Sequence, residues 1–334
     1  MPVPMTLSTA TDLIDVSIQR IYKKSTNLSV PGDVMKLYHE ETTNDYYDKD
    51  SSVSGFGEAA RLVENAIITS ESPVQGFDKT YTQVFHGKMA QFTLQEWKFG
   101  IKKRKLEGVV SDLTRTAGRK KERLLTEYLE NSINDATTYT VLDDSGNWTK
   151  TVTGGDGVGF IDAAHTREDG GAAWSNVIGD GTTSNMDFET DALKALWRTG
   201  SLIRDPKGNL MDINYDTTVF RKGSPISFRA MEINGALKKN MVPGSAENDG
   251  APFGVFNTLV LPYLSTDAAA YWWGFDMSMK GPEIGLQVRK SQDTVLDKPY
   301  ADYKTKTVYV SATFAMDYGH NDGRNAAGSL GINA

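Results

Sequence analysis

The sequence contains no cysteine. Disulfide frameworks and thiolate metal sites are therefore excluded, and a reducing compartment fits. Histidine is scarce, with four residues in 334. His39, His86, His165 and His320 are scattered, and no two stand at metal-ligand spacing on one expected element. Long apolar runs are missing: no stretch approaches the roughly 18 residues of a membrane-spanning helix. The first twenty residues, MPVPMTLSTATDLIDVSIQR, lack the basic start and continuous apolar segment of a secretory signal. The sequons at Asn27 and Asn147 carry no meaning without secretion. The expectation is a soluble chain made in the cytoplasm, with no membrane partner.

An excess of positive charge is missing too. The 36 Lys and Arg stand against 43 Asp and Glu, a formal net charge of −7. That excludes a strongly basic nucleic-acid binder, and any phosphate contact must come from a local patch. Reactive signatures are absent as well: there is no P-loop, no H-E-x-x-H and no G-x-S-x-G. Gly154 to Gly159, GGDGVG, has the wrong spacing for a dinucleotide loop and reads as a turn. Leu142 to Asn147, LDDSGN, has acids at its start but lacks the later ligands of a calcium loop. His165, in DAAHTREDGG, is the one histidine in a suggestive loop. No carboxylate pair is nominated by the sequence. No catalytic, cofactor-binding or metal residue is expected, and no enzyme.

What is present is an ordinary globular composition, 39% apolar and 24% charged. A chain of this length can form one large domain or two to three smaller ones. It can bury roughly three quarters of its unfolded surface. Glycine is raised, at 31 residues against 11 proline, which implies many turns.

Along the chain, Leu13, Ile14, Ile18 and Ile21 have the spacing of a short amphipathic helix. Val30 to Gly57 is polar and acidic but keeps Tyr38, Tyr46, Tyr47 and Phe56. It reads as an extended arm with little core of its own. Leu62 to Trp97 is strand-like, with SPVQGFD and HGK as turns and Tyr81, Gln83 and Phe85 sharing a face. Ile101 to Asn134 then forms a proline-free rod with nine Lys or Arg and five Asp or Glu. Leu106, Val109, Val110, Leu113, Ala117, Leu124, Tyr128 and Leu129 recur at three and four residues, the apolar stripe of a long helix. Gly108 and Gly118 each cost about 1 kcal/mol relative to alanine; a closely approaching partner would offset that. The cations are either a solvated face supported by pairs such as Lys103–Glu107, or a face set against a polyanion or an acidic neighbour. Beyond it, helices are expected from Asp187 to Thr199 and in ISFRAMEINGALKKN. Strands are expected in TTVFRKG, on both sides of PYLSTD, in GLQVRKSQ and in KTVYVSATFAMDYG. DPKGN is a turn.

Four stretches carry a resemblance. They are AQFTLQEWKFGIKKRKLEGVVSDLTRTAGRKKERLLTEYLENS, GFIDAAHTREDGGAAWSN, NTLVLPYLSTDAAAYWWGF and YADYKTKTVYVSATFAMDYGHNDGRNAAGS. In this order, over nearly the whole chain, the sequence resembles the tailed-bacteriophage major capsid proteins of the HK97-like fold, and within them the Mu-like major head subunits. The resemblance implies an α+β fold with an N-terminal arm at 1–57 and an extended β-hairpin loop at 58–98, with Arg61 and Leu62 at its base. A peripheral domain with the long spine helix follows at 99–186, an inserted central domain at 187–289, and a return to the peripheral domain at 290–334.

The function it implies is a structural subunit that self-assembles into an icosahedral head shell around double-stranded DNA. Pentamers and hexamers of self, a portal protein and a separate scaffolding protein are the implied partners, the last because the arm starts almost at once. DNA would be held without sequence specificity, in a virion assembled in the host cytoplasm. Lys102, Lys103, Arg119 and Lys120 are the candidate DNA-facing or interface cations. Tyr46, Tyr47, Phe77, Tyr81 and Phe85 are the candidate inter-subunit contacts of the loop and arm. Some family members crosslink a loop lysine to a neighbour's asparagine; Lys79 and Lys88 lie in that region without the matching surroundings, so no crosslink is expected. An encapsulin-like nanocompartment shell shares the fold and is the near alternative. A β-rich carbohydrate-binding protein is the distant one, with Trp148, Trp174, Trp272 and Trp273 available to stack on sugars or to anchor a core.

Overall fold

The computed structural model describes residues 32–53, 61, 68, 70, 72–73, 75–93, 95, 103–133, 137–182, 184–239, 256–302 and 304–331. The helix expected around Leu13 to Ile21 lies outside them.

The long rod is a helix, α1, Lys103–Asn131. At about 1.5 Å per residue it is roughly 44 Å long. Its stripe is buried as the spacing requires: Val110, Leu124, Leu125, Tyr128 and Leu129 are fully enclosed, and Leu113 and Ala117 nearly so. Past its last turn, Ser132 Oγ donates to the Leu129 carbonyl (2.9 Å), satisfying an end carbonyl that the helix itself leaves open. Gly108 and Gly118 do not mark a close partner within the described residues: a Cβ at either would meet none of them within 4 Å outside its own helix backbone.

α1 lies against a five-stranded sheet. Its central strand is β12, Thr307–His320. On one edge β12 pairs antiparallel with β4, Val84–Thr93. On the other it pairs with β10, Leu286–Leu296, and β11, Tyr300–Asp302. β1, His39–Thr42, adds parallel to β10. The HGK tripeptide is not a turn but the middle of β4. Gly87 is tolerated there because the partner strand comes close: a Cβ would stand 3.2 Å from the Thr313 methyl.

A second sheet runs β13–β9–β7–β8. Its strands are β7, Thr217–Arg221, β8, Asn257–Leu261, β9, Trp272–Phe275, and β13, Ala326–Ser329. Period-two alternation gives it two apolar faces. Val219, Trp273, Phe275 and Ala326 join the core that contains the spine residues Leu124 to Leu129. Phe220, Trp272 and Ala327 face a second core with Leu193 and Leu196 of α2, Thr190–Leu202. Gly274 lets α2 approach, since a Cβ there would fall 2.7 Å from Leu196. A third helix, α3, Pro225–Lys239, follows β7. β10 runs through residues 289 and 290, and β13 carries the last described segment into the second sheet. The two bodies therefore interleave in sequence.

Two hairpins complete the chain. β2, Tyr47–Val53, pairs with β3, Gln75–Thr82. The extended hairpin is thus built from strands on either side of residues 54–74, and β3 passes into β4 through Gln83 alone. β5, Thr138–Val141, pairs with β6, Trp148–Thr151, around the LDDSGN turn.

The arm is less free than its polarity suggested. Val34 and Leu37 of a 3-10 turn, Asp33–Leu37, and Tyr38 after it are buried in the main core. The Tyr38 hydroxyl donates to the Leu125 carbonyl at 2.8 Å. The expectation that 30–57 holds little core fails here because three apolar residues spaced at 34, 37 and 38 present one face to α1.

Candidate functional site

The cationic face of α1 and the aromatic residues of hairpin and arm are the surfaces nominated by the sequence. Lys102 lies outside the described residues, and Lys103 opens α1 with its side chain outside them. Arg119 is exposed and donates to Thr116 Oγ1 of its own helix at 3.3 Å, with no ion pair among the described residues. Lys120 is different: its ammonium meets Asp143 at 2.8 Å, and both side chains are about one-fifth exposed. Lys121 reaches Asp293 at 2.7 Å, and Arg123 reaches Glu127 at 2.9 Å and the Leu142 carbonyl at 2.5 Å. Much of the cationic run is therefore neutralised by acids of the same chain.

The β5–β6 turn supplies the acid for Lys120, while Asp293 comes from β10 and Glu127 from α1 itself. Gly146, at φ +128, lets the chain reverse. Asp143 then faces Lys120, and Asp144 faces Lys88 of β4 at 3.2 Å. Lys120 holds the Asp143 carboxyl below its ordinary range. The turn, α1 and β4 enclose a cleft of about 500 Å³ lined by Phe85, His86, Arg119, Trp148 and Phe314 among others. His86 stacks on Phe314, and burial, then Lys120, keep its imidazole neutral by lowering its pKa.

The hairpin and arm aromatics divide. Tyr46 and Tyr47 are 53% and 65% exposed and form an edge-to-face pair, centroids 4.6 Å apart. Phe85 is 66% exposed. Phe77 is half-buried. Tyr81 is fully enclosed by its own chain, with its hydroxyl 3.3 Å from Gln287 and the Arg289 guanidinium over its ring. No part of its side chain is left for a neighbour. The alternation that groups Tyr81 with Phe85 breaks at Gln83, where β3 gives way to β4.

The register adds what the sequence did not show. Phe85, Gly87, Met89 and Gln91 share one face of β4, beside Ala315, Thr313, Ser311 and Tyr309 of β12. Val295 of β10 and Tyr300 of β11 pair with Thr313 and Tyr309. Phe85, Met89, Val295 and Tyr300 are all exposed on this face. Only a strand-pairing register could have found it.

The solved structures include a match to this fold. A chain of Microbacterium phage Oxtober96 superposes with a TM-score of 0.50 at 11% identity, over 90% of this chain and 91% of that one. The fold is shared with a phage chain. A chain of Mycobacterium phage Adephagia gives 0.48 at 10% identity over 90% of each, and one from the procapsid of bacteriophage JBD30 gives 0.44 at 9% identity over 95% of this chain and 74% of that one. No family model and no curated protein matches the sequence. The α+β, HK97-like architecture expected from the sequence is the one observed: a spine helix on a sheet, a long hairpin and a second α/β layer.

The remaining candidates are structural. His165 is buried, bonded to Asp156 (2.7 Å) and Asn176 (3.1 Å), and stacked on Trp174. His320 is buried against the Tyr128 hydroxyl (2.7 Å), and burial holds its pKa well below the ordinary value. Gly154 and Gly155 in GGDGVG let that loop pack on His320 and Asn321. Trp174, Trp272 and Trp273 are core residues and offer no open platform for a sugar, while Trp148 is half-buried at the wall of the cleft. Among the described residues no group of three or more His, Asp or Glu could hold a metal ion, and no helix is long and apolar enough to cross a membrane.

Proposed function

We propose that this chain is a structural shell subunit of a tailed phage, self-assembling through pentamers and hexamers into an icosahedral head around double-stranded DNA. The single observation that carries the reading is the fold, spine helix, sheet and hairpin together, shared over nine-tenths of the chain with a phage chain. The exposed Tyr46, Tyr47 and Phe85 support it, as surfaces open to neighbouring copies. A separate scaffolding protein and a portal protein are the further partners of this reading, with assembly in the host cytoplasm. The reading assigns the chain no catalytic step.

DNA contact falls to Arg119 rather than Lys120, because Asp143 already neutralises Lys120. Such contact is sequence-independent and weakens with salt. The test is expression of the full chain, with and without a co-expressed scaffold, followed by electron microscopy. Closed shells, tubes or capsomer rings are expected. A chain that stays monomeric under every assembly condition overturns the proposal, and particles filled with a protein cargo instead of DNA would favour a nanocompartment shell.

A further inference from the structure

The base of the β2–β3 hairpin rests on its own body through two buried charge clusters, each with one ionised group that is poorly served. The first surrounds Arg289 of β10, whose side chain is 6% exposed. Glu41 of β1 contacts its Nη1. Asp48 Oδ2 of β2 lies 3.7 Å from Nε, and Asp50 Oδ2 lies 3.6 Å from Nη2. Three carboxylates share one guanidinium, at separations too long for hydrogen bonds in two cases. Asp50 Oδ2 and Arg289 Nε are buried without any hydrogen-bond partner. Glu283 adds negative potential at Asp50, Gln287 offers it a hydrogen bond, and His39 of β1 feels both Lys280 and Arg289.

In the second cluster the poorly served group is a cation. Lys79 of β3 is driven into the body, where its ammonium donates to the Thr153 carbonyl at 2.5 Å. Lys150 of β6 stands beside it, and the near carboxylate is Asp317 of β12. Asp317 is already engaged by Lys150 and by the Thr82 backbone N–H (2.7 Å). Asp156, the next acid, is bonded to His165. His320 also faces Lys79, held neutral.

We propose that the hairpin base is a charge-mismatched seat, with more carboxylates than Arg289 can serve on the β2 side and, on the β3 side, a buried ammonium without an ion pair of its own among the described residues, so that the body holds the hairpin least firmly near neutral pH. The two clusters lie within one chain, so the proposal stands apart from the assembly reading.

The direction on each side follows from linkage. Burial, with Glu283 and Asp48, pushes the Asp50 carboxyl from 3.8 up to about 6. The seated hairpin therefore binds that proton more tightly than a released one, and seating strengthens as pH falls through about 6. Burial, then Lys150, pushes the Lys79 amine from 10.5 down to about 8. The seated form releases that proton more readily, and seating strengthens as pH rises through about 8. Between the two values both groups are charged; they stand opposite each other in the β2–β3 register, but Asp50 turns to the shared Arg289 at 3.6 Å and Lys79 to the Thr153 carbonyl, so neither holds a hydrogen-bonded ion pair.

The experiment is hydrogen–deuterium exchange of the β2 and β3 amides in the unassembled full chain, corrected for the chemical exchange rate, with the β10–β12 amides as internal reference. Local opening is what these amides report. Protection should be lowest near pH 7 and rise about five- to tenfold by about pH 5 and by about pH 9. Asp50→Asn should raise protection at neutral pH and remove the acid limb, which a His39 titration would leave in place. Lys79→Met should remove the alkaline limb. Protection that is flat with pH overturns the proposal, as do limbs that survive both variants or that the reference strands follow in parallel. If a variant does not fold, the wild-type profile decides alone.

Discussion

Arg119 and Lys120 are adjacent in sequence, and burial separates their roles. A long exposed cation gains little from a passing acid, because water and salt screen it. Lys120 and Asp143, each mostly covered, join α1 to the β5–β6 turn. Lys120→Gln should therefore cost about 1 kcal/mol in urea unfolding, and Arg119→Gln less than about 0.5 kcal/mol. If the Arg119 change instead destabilises the isolated chain, its guanidinium belongs to the fold and not to a nucleic-acid surface. Asp317 is the opposite extreme. It is 4% exposed, holds Lys150 and accepts from the Thr82 N–H, so it ties β12, β6 and β3 together. Removing one member of a buried pair strands the other charge, and Asp317→Ala should cost roughly 3–5 kcal/mol. A loss below about 1 kcal/mol would mean that Lys150 finds water or another acid at once.

At the scale of elements, α1 shows what periodicity can and cannot convey. The stripe from Val110 to Leu129 was legible because a 3.6-residue period survives in any helix with one buried side. The reason for Gly108 and Gly118 was not legible, since a pattern does not record what lies opposite a residue. Open space surrounds both, and Gly118 is exposed. Gly118→Ala should therefore stabilise the chain by about 1 kcal/mol, read as a raised urea midpoint at constant slope. A loss of stability would place a partner against that side of α1. The strands β10 and β12 were readable from alternation and β-branched content. HGK was misread as a turn because glycine marks both turns and places where a neighbouring strand crowds the backbone. The hairpin of β2 with β3 could not be found at all by local signals, since its strands are separated by residues 54–74. The turn before β1 is similar: nothing local says that Val34, Leu37 and Tyr38 dock on α1. Leu37→Ala should cost about 2–5 kcal/mol in the unassembled chain. An arm that merely lay on a neighbouring copy would show no change.

At the scale of the whole molecule, the described residues already form three buried apolar clusters without a partner. Two cores sandwich the second sheet, and the first sheet is covered by α1 on one face. What they leave open lies in several places: the other face of the first sheet, with Phe85 and Met89 at its β4 edge, the Tyr46–Tyr47 pair, and Trp197 and Leu202 of α2 with Phe228 and Met231 of α3. Strand edges and apolar sheet faces left open favour association. For an assembling subunit, such surfaces must contribute to the contact and not to the fold. Phe85→Ser with Met89→Ser should then leave the urea stability of the unassembled chain within about 0.5 kcal/mol. In a shell the same pair, once buried, would supply about 1.5–3 kcal/mol per large side chain. Each 1.4 kcal/mol is a factor of ten in an equilibrium constant, so the concentration at which particles form should rise at least about tenfold. Light scattering over a dilution series reads that threshold directly. A threshold that does not move, with particles still forming, would show that this sheet face looks outward from the shell and that the subunit contacts lie elsewhere, on α2, α3 or the Tyr46–Tyr47 pair.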